Sequence, residues 1–257
     1  MGIYIIAHKN FSSPFNFDNK RKTLLVGADL RKKLNGFDYY DNSGINISDK
    51  NQNYCELTGL YWLWKNSTDE YIGIEHYRRY FSHDFFGKKL LNDSEINMLL
   101  KKHDIILPFI KEFPTSVEDD YVKNSGYKKD LDKLKEIINK KYPEYISEYT
   151  EIMQENKLYL YNMMILNKHI FDRYCTWLFD ILFELEKNVS LSGYSNYEKR
   201  IYGFLSERLL NVWVLHNNLK CCSVGVINTE QKQNAMQKIL TGLKREILFR
   251  KYVTGRN

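Results

Sequence analysis

Short apolar runs alternate with helix-period segments along most of the chain, and that alternation limits the possible folds more than any other feature. The runs "IYIIAHK", "TLLVGADL", "EYIGI", "HDIILP", "LYLYNMMILN" and "LKCCSVGVIN" are each of strand length and are closed by polar or turn residues. Between them lie segments of helical period. One begins at Ser48 or Asn51 and repeats through Tyr54, Leu57, Leu60, Tyr61 and Trp64. "INMLLKK" is a short helix. Another helix runs from Lys168 to Asn188 with Ile170, Tyr174, Trp177, Leu178, Ile181 and Leu182 on one face, and "FLSERLLNVWVLHNN" follows it. Strands that alternate with helices predict an α/β fold, a mostly parallel sheet with helices on both faces. In such a sheet ligands bind beyond the carboxyl ends of the strands. Two polar clusters follow strand ends there, His8–Lys9–Asn10 and His76–Arg79.

The predicted organisation is one domain over residues 1–227 and a basic amphipathic helix over 228–257. Residues 113–150, charged and punctuated by Pro114 and Pro143, form a helical insertion or lid. A chain of 257 residues buries enough surface to fold without staples. The cysteines agree: Cys55, Cys175, Cys221 and Cys222 include no C-x-x-C pair and read as reduced core thiols. There is no h-region, no bilayer-spanning run, and Ile6 breaks the myristoylation pattern at Gly2, so a cytoplasmic protein is expected. From Asn228 onward there are seven basic residues (Lys232, Lys238, Lys244, Arg245, Arg250, Lys251, Arg256) and two acidic ones, a surplus of five out of the chain's +6. The body is near neutral, which argues against a nucleic-acid partner. The tail, with Met236, Ile239, Leu240, Leu243, Ile247 and Leu248 on one stripe, suits an anionic membrane surface through residues 231–252, or packing on the domain or a second subunit.

No glycine-rich phosphate loop, Walker A, G-x-S-x-G or H-E-x-x-H is present. The chemistry-bearing stretch is "EYIGIEHYRRYF". His76 with Arg78 or Arg79 offers donors that match a diphosphate, and Tyr77 or Tyr80 can stack. Equally, the arginines could pair with Glu75 or Asp84. In "FLSERLLNVW", Glu207 beside Arg208 is either a general base or a helix-capping acid. His8, Lys9, Asn10 and Asp29 follow the ends of the first two strands, where a ligand would bind. Asn46, Ser48, Lys50, Asn53 and Asn162 are further polar candidates, or they could cap loops. Trp62 and Trp64 are expected in the core.

The blocks "IAHKNF", "EYIGIEHYRRYF", "HDIILP", "YNMMILNK" and "GFLSERLLNVW" closely resemble a bacterial family first filed as a domain of unknown function, over about residues 3–226. Its members sit among capsular and exopolysaccharide biosynthesis proteins and are regarded as glycosyltransferases, some of them linked to galactofuranose transfer. The resemblance implies a hexosyltransferase that uses a UDP-sugar donor and a saccharide or polyprenyl-diphosphate-linked acceptor. Its place of work would be the inner face of the plasma membrane. A non-catalytic sugar-nucleotide or glycan-binding module of the same assembly system is the alternative.

The element order also resembles a GT-A glycosyltransferase, in which "YIGIEHYRRYF" occupies the slot of the metal-binding Asp-x-Asp. Here that slot holds Glu75 with no second acid two residues on, a poor Mg²⁺ site. The resemblance therefore implies metal-independent, inverting transfer. Arg78 or Arg79 and His76 would stand in for the cation, with Glu207 as base and Asp84 or Asp104 as alternatives. His8, Lys9, Asn10 and Asp29 would meet the nucleotide base and ribose, and Asn46, Ser48, Lys50, Asn53 and Asn162 could reach the donor sugar. His83–Asp84 is the remaining place for a Mn²⁺ or Mg²⁺ ion.

Overall fold

The computed structural model describes residues 1–254. Its centre is β1 (Gly2–Ala7), in which every residue is buried. β2 (Arg21–Leu25) and β3 (Tyr39–Tyr40) follow, and then α1 (Asn51–Tyr54) and α2 (Leu57–Asn66). β4 (Tyr71–His76), β5 (Arg79–Phe81), α3 (Asp93–Leu100) and β6 (Ile105–Pro108) complete the first half. α3 starts sharply because Asn92 and Glu95 cap one another, each side chain accepting from the other's backbone N–H. The second half comprises β7 (Lys111–Glu112), α4 (Val117–Asn124), α5 (Lys128–Lys141), α6 (Ile146–Gln154) and β8 (Lys157–Leu158). β9 (Met164–Asn167), α7 (Lys168–Asn188), α8 (Ile201–His216), β10 (Cys221–Val224), β11 (Val226–Asn228) and α9 (Ala235–Thr254) close the chain.

The sheet runs β10-β6-β9-β4-β1-β2-β3. β1 is parallel to β2 and β4, β2 to β3, and β10 to β6. The expected mostly parallel sheet is therefore present, with one reversal: β9 is antiparallel to both β4 and β6. β5 is antiparallel to β4 and leaves it through a tight reversal at His76 and Arg79, and β11 then pairs with β5. The single strand expected from Leu219 to Asn228 is thus two strands serving different partners.

Other expectations are modified. The helix expected from residue 51 to 64 breaks at Cys55, whose backbone takes φ 53, ψ −128. Trp62 is buried, while Trp64 is half-buried and stacks on Phe179. Helices α4 to α6 lie between the small β7–β8 ribbon and pack on α7 and α8. Their Val117, Tyr121, Leu131, Leu134, Ile138 and Tyr149 are part of the main core, which ties this segment to the rest.

α9 packs on the body through a face different from the stripe picked out in the sequence. Gly242 and Arg245 are buried, and Arg245 Nη1 donates to the Asp84 carbonyl at 2.9 Å. A Cβ at Gly242 would stand 2.5 Å from the Phe85 carbonyl, so only glycine allows the approach. Phe249 stacks on His83 with centroids 3.9 Å apart. Met236, Ile239, Leu240, Leu243 and Ile247 face outward. Arg245, counted above among the tail's cations, is an internal one, and Arg256 lies outside the described residues.

Candidate active site

β1, β2 and β4 end on one edge of the sheet. A cavity of about 830 Å³ opens there, lined by Ile6 and His8 after β1, Val26 and Arg31 after β2, and His76 to Arg79 after β4. The opposite wall comes from α1, the 160–161 segment, the turn before α8, α8 itself and α4. Six cationic side chains line it (Arg31, Arg78, Arg79, Lys111, Arg200, Arg208) against three carboxylates (Glu56, Asp120, Glu207).

The turn after β2 is held by Asp41. This carboxylate is fully buried and accepts from Gly27 N (2.8 Å), Ala28 N (2.9 Å) and Ser48 Oγ (2.5 Å). Gly27 has φ 62, and a Cβ there would meet Arg31 Nη1 at 2.0 Å. Arg31 therefore lies directly on the turn, donating to the Val26 and Gly27 carbonyls and to Asn51 Oδ1. His8 registers the local potential: partial burial and then Arg31, Lys9, Arg78 and Arg200 hold its pKa below the ordinary histidine value.

At the mouth of β4, Glu75 and its neighbours part company. Glu75 points into the interior, fully buried, and accepts from Arg21 Nε (3.1 Å) and Phe81 N (2.9 Å). It is a structural counter-ion of Arg21. The slot that holds Asp-x-Asp in GT-A enzymes therefore offers no carboxylate to the cavity, and its donor set does not fit a divalent cation. Neither arginine pairs with Glu75 or Asp84. Arg78 Nη1 binds Glu230 Oε2 at 2.6 Å. The Arg79 guanidinium lies over the Tyr161 ring, 4.3 Å from its centroid, and makes no hydrogen bond or ion pair among the described residues. His76 Nε2–H donates to the Tyr161 carbonyl at 2.7 Å. Burial, followed by Arg79, pushes its pKa down to about 4. That corrects the expected cationic role of His76: near neutral pH it is an uncharged imidazole, and the positive charge belongs to the arginines.

Glu207 projects from α8. Its Oε1 accepts from Tyr161 N at 2.7 Å and its Oε2 lies 3.5 Å from Arg208 Nη1. Its side chain is 17% exposed. Burial raises its pKa to about 7 against the opposing pull of Arg208. With its side chain well inside α8, Glu207 is not a cap. Arg208 is itself 3% exposed, reaches Asp120 Oδ2 at 3.3 Å and lies over Tyr121, so it anchors both acids.

The remaining candidates sit elsewhere. Asn162 is fully buried behind the cavity wall. Lys9 stands at the rim, 3.8 Å from Glu230, and Asn10 is exposed beside it. Asp29 accepts from Asn42, Lys50 is bound to Glu186 at 2.7 Å, and Asn46, Ser48 and Asn53 make local or structural bonds. Asp84 Oδ2 accepts from Lys88 N within its own turn, and Asp104 accepts from Lys220 N. His83 is held by Glu95 at 2.6 Å under Phe249, apart from any role with Asp84. Among the described residues no three His, Cys, Asp or Glu side chains stand where they could share one ion. Adjacency in sequence misleads at these points because successive residues at a strand end turn to opposite faces.

The lining residues not singled out in the sequence include Glu56, Arg31, Arg200 and Tyr161, with Lys111 and Asp120. Tyr161 and Asn162 both adopt positive φ (75° and 50°). That conformation lets one backbone unit serve His76 through its carbonyl and Glu207 through its N–H. Backbone strain of this kind costs about 1–3 kcal/mol per residue and concentrates at functional sites.

The chain is similar to the apo structure of the WbbM bifunctional glycosyltransferase, with a TM-score of 0.78 and 28% identity. The match covers 90% of this chain and 45% of that one, so this chain spans about half its length. Residues 2–218 match the family described as Domain of unknown function (DUF4422), and the chain belongs to that family. No curated protein matches.

Proposed function

We propose that this protein is a glycosyltransferase that moves a hexose from a UDP-sugar to a surface-polysaccharide precursor. One observation carries the reading. Arg79 stands unpaired in a cavity at the carboxyl ends of the strands, with cations outnumbering carboxylates six to three around it. An unpaired guanidinium held over a ring has its fork of donors ready for a diphosphate. The bifunctional glycosyltransferase of similar fold supports the reaction class.

In this reading the nucleotide lies against His8, Val26 and Arg31, and Arg79 and Arg78 neutralise the charge that grows on the departing diphosphate. Glu207 takes the proton of the attacking acceptor hydroxyl. A base with a pKa near the working pH suits that role. One base and one leaving-group site favour an inverting displacement. Transfer independent of a metal is supported by Glu75 being committed to Arg21, with guanidinium groups at the slot's mouth. Galactofuranose as the hexose, and a polyprenyl-diphosphate-linked acceptor, follow from the resemblance in sequence. The outward stripe of α9 and its flanking lysines and arginines support contact with the inner membrane surface during transfer. No helix is long and apolar enough to cross a membrane among the described residues.

The test is a thermal-shift screen against UDP-, GDP-, CMP- and dTDP-sugars, each with and without Mn²⁺. A ligand at 100 times its Kd adds about 2.7 kcal/mol, about 5–10 °C for a domain of this size. A UDP-sugar is expected to give that shift with or without Mn²⁺. No shift with any sugar nucleotide would refute the function. A shift that requires Mn²⁺ would refute metal independence. Release of UDP only when acceptor is added separates a transferase from a binding module.

A further inference from the structure

We infer that Glu56 is a sugar-reading residue, a carboxylate that accepts hydrogen bonds from hydroxyls of the hexose attached to the diphosphate. The inference rests on the transferase reading and names the residue that recognises the transferred sugar.

Glu56 lines the cavity between α1 and α2. It precedes α2, yet its side chain makes no capping bond there, so helix capping does not account for it. Its Oε1 accepts from Asn162 Nδ2 at 2.7 Å. No ion pair engages it among the described residues, and burial raises its pKa. Arg200 and Arg79 oppose that rise from nearby, but neither forms an ion pair with it. A glutamine would keep the Asn162 bond without the cost of burying a charge, so the charge points to a ligand.

The support around Glu56 is unusually constrained. Asn162 Nδ2 also donates to Ser206 Oγ at 2.9 Å, and Ser206 Oγ–H donates to the Gly203 carbonyl at 2.8 Å. Gly203 lets α8 approach the turn at Cys55: a Cβ there would lie 3.3 Å from Cys55 Cβ. Among the described residues, four non-glycine residues have positive φ. Three of them, Cys55, Tyr161 and Asn162, flank or form this one contact. Three distant segments thus hold one carboxylate at the cavity wall.

Its location says what it reads. Arg79 feels the charge of both Glu207 and Glu56. A diphosphate on Arg79 would place its attached sugar in the cavity that both acids line. Glu207, bound by Tyr161 N and beside Arg208, stands poised as the base. Glu56, with one oxygen uncommitted to any side chain, accepts from hydroxyls. A carboxylate is the strongest acceptor a protein can offer a sugar hydroxyl.

The experiment compares wild type and Glu56→Gln by calorimetric titration with UDP, UDP-galactopyranose and UDP-galactofuranose, with thermal midpoints as the folding control. Wild type is expected to bind one sugar nucleotide more tightly than UDP. Glu56→Gln should keep UDP affinity within about twofold and lose about tenfold on that sugar nucleotide. Asn162→Ser, which loosens Glu56 without changing its charge, should give the same sugar-selective loss and guards against misfolding of the first variant. The inference is overturned if Glu56→Gln loses UDP and sugar nucleotide equally, if it loses neither, or if wild type gains nothing from the sugar. A wild type that binds no UDP overturns the transferase reading itself, and this inference with it.

Discussion

Glu207→Gln should trade activity for stability, and both effects follow from one buried carboxylate. Burial raises the Glu207 pKa from the ordinary 4.5 to about 7. Each pH unit of displacement is worth about 1.4 kcal/mol, so keeping Glu207 ionised in the fold costs about 3 kcal/mol at pH 8. The folded chain holds this proton more tightly than the unfolded one. The stabilising effect of the protonated group is complete below about pH 4.5 and is lost as pH rises through about 7. Glutamine keeps the acceptor for Tyr161 N and removes the charge. The variant should therefore be more stable than wild type by about 3 kcal/mol at pH 8 and by less than about 1 kcal/mol at pH 5. At about 2–4 °C per kcal/mol, the midpoint should rise by about 6–12 °C at pH 8. Turnover should fall by about 10²–10⁴ with UDP affinity kept. Wild-type turnover should decline below pH 7, reaching about 1% of its plateau at pH 5. Thermal melts at both pH values and a UDP-release assay check this. Equal stability gains at both pH values, or near-normal turnover, would refute the assignment of Glu207.

Four further outcomes are expected. Arg79→Ala should weaken UDP binding by about 10- to 100-fold in titration, and Arg79→Lys should recover little of it because the guanidinium contact with the Tyr161 ring and the forked donors are lost. Glu230→Gln frees Arg78 from its 2.6 Å ion pair and should raise UDP affinity by about two- to fivefold, a small effect because the pair is exposed. Gly27→Ala places a Cβ against Arg31 at a positive φ and should destabilise the fold by about 1 kcal/mol or more while weakening nucleotide binding. Replacing Leu240 and Leu243 together with glutamate should abolish co-sedimentation with anionic vesicles without moving the thermal midpoint, since both side chains face outward.

The Arg78–Glu230 pair also links the cavity mouth to the tail. Glu230 lies between β11 and α9, and Thr229 N donates to the Arg78 carbonyl. On the proposed reading, a diphosphate arriving at Arg78 would meet a carboxylate already there, and the Glu230 variant isolates that competition.

Much of the architecture was legible in the chain because it is written locally. An apolar run such as "IYIIA" has few alternatives to a buried strand, and the amphipathic period from Ile170 to Leu182 has few alternatives to a helix. The cluster "EHYRRYF" was visible as a polar end on a buried strand, and its placement beyond the sheet follows from that alone. What stayed hidden depends on partners far away in sequence. Glu75 could be told from a ligand only by finding Arg21, 54 residues earlier, against it. The break at Cys55 and the convergence of Glu56 with Asn162, 106 residues on, come from α8 pressing on that turn at Gly203. The antiparallel entry of β9 between β4 and β6 is a matter of strand order, which local periodicity does not encode. Local pattern is enough to set the elements and to bring arginines to a strand end. Which of them stays unpaired, which acid is structural and which acids face the cavity depend on the packed chain, because burial and pairing exist only there.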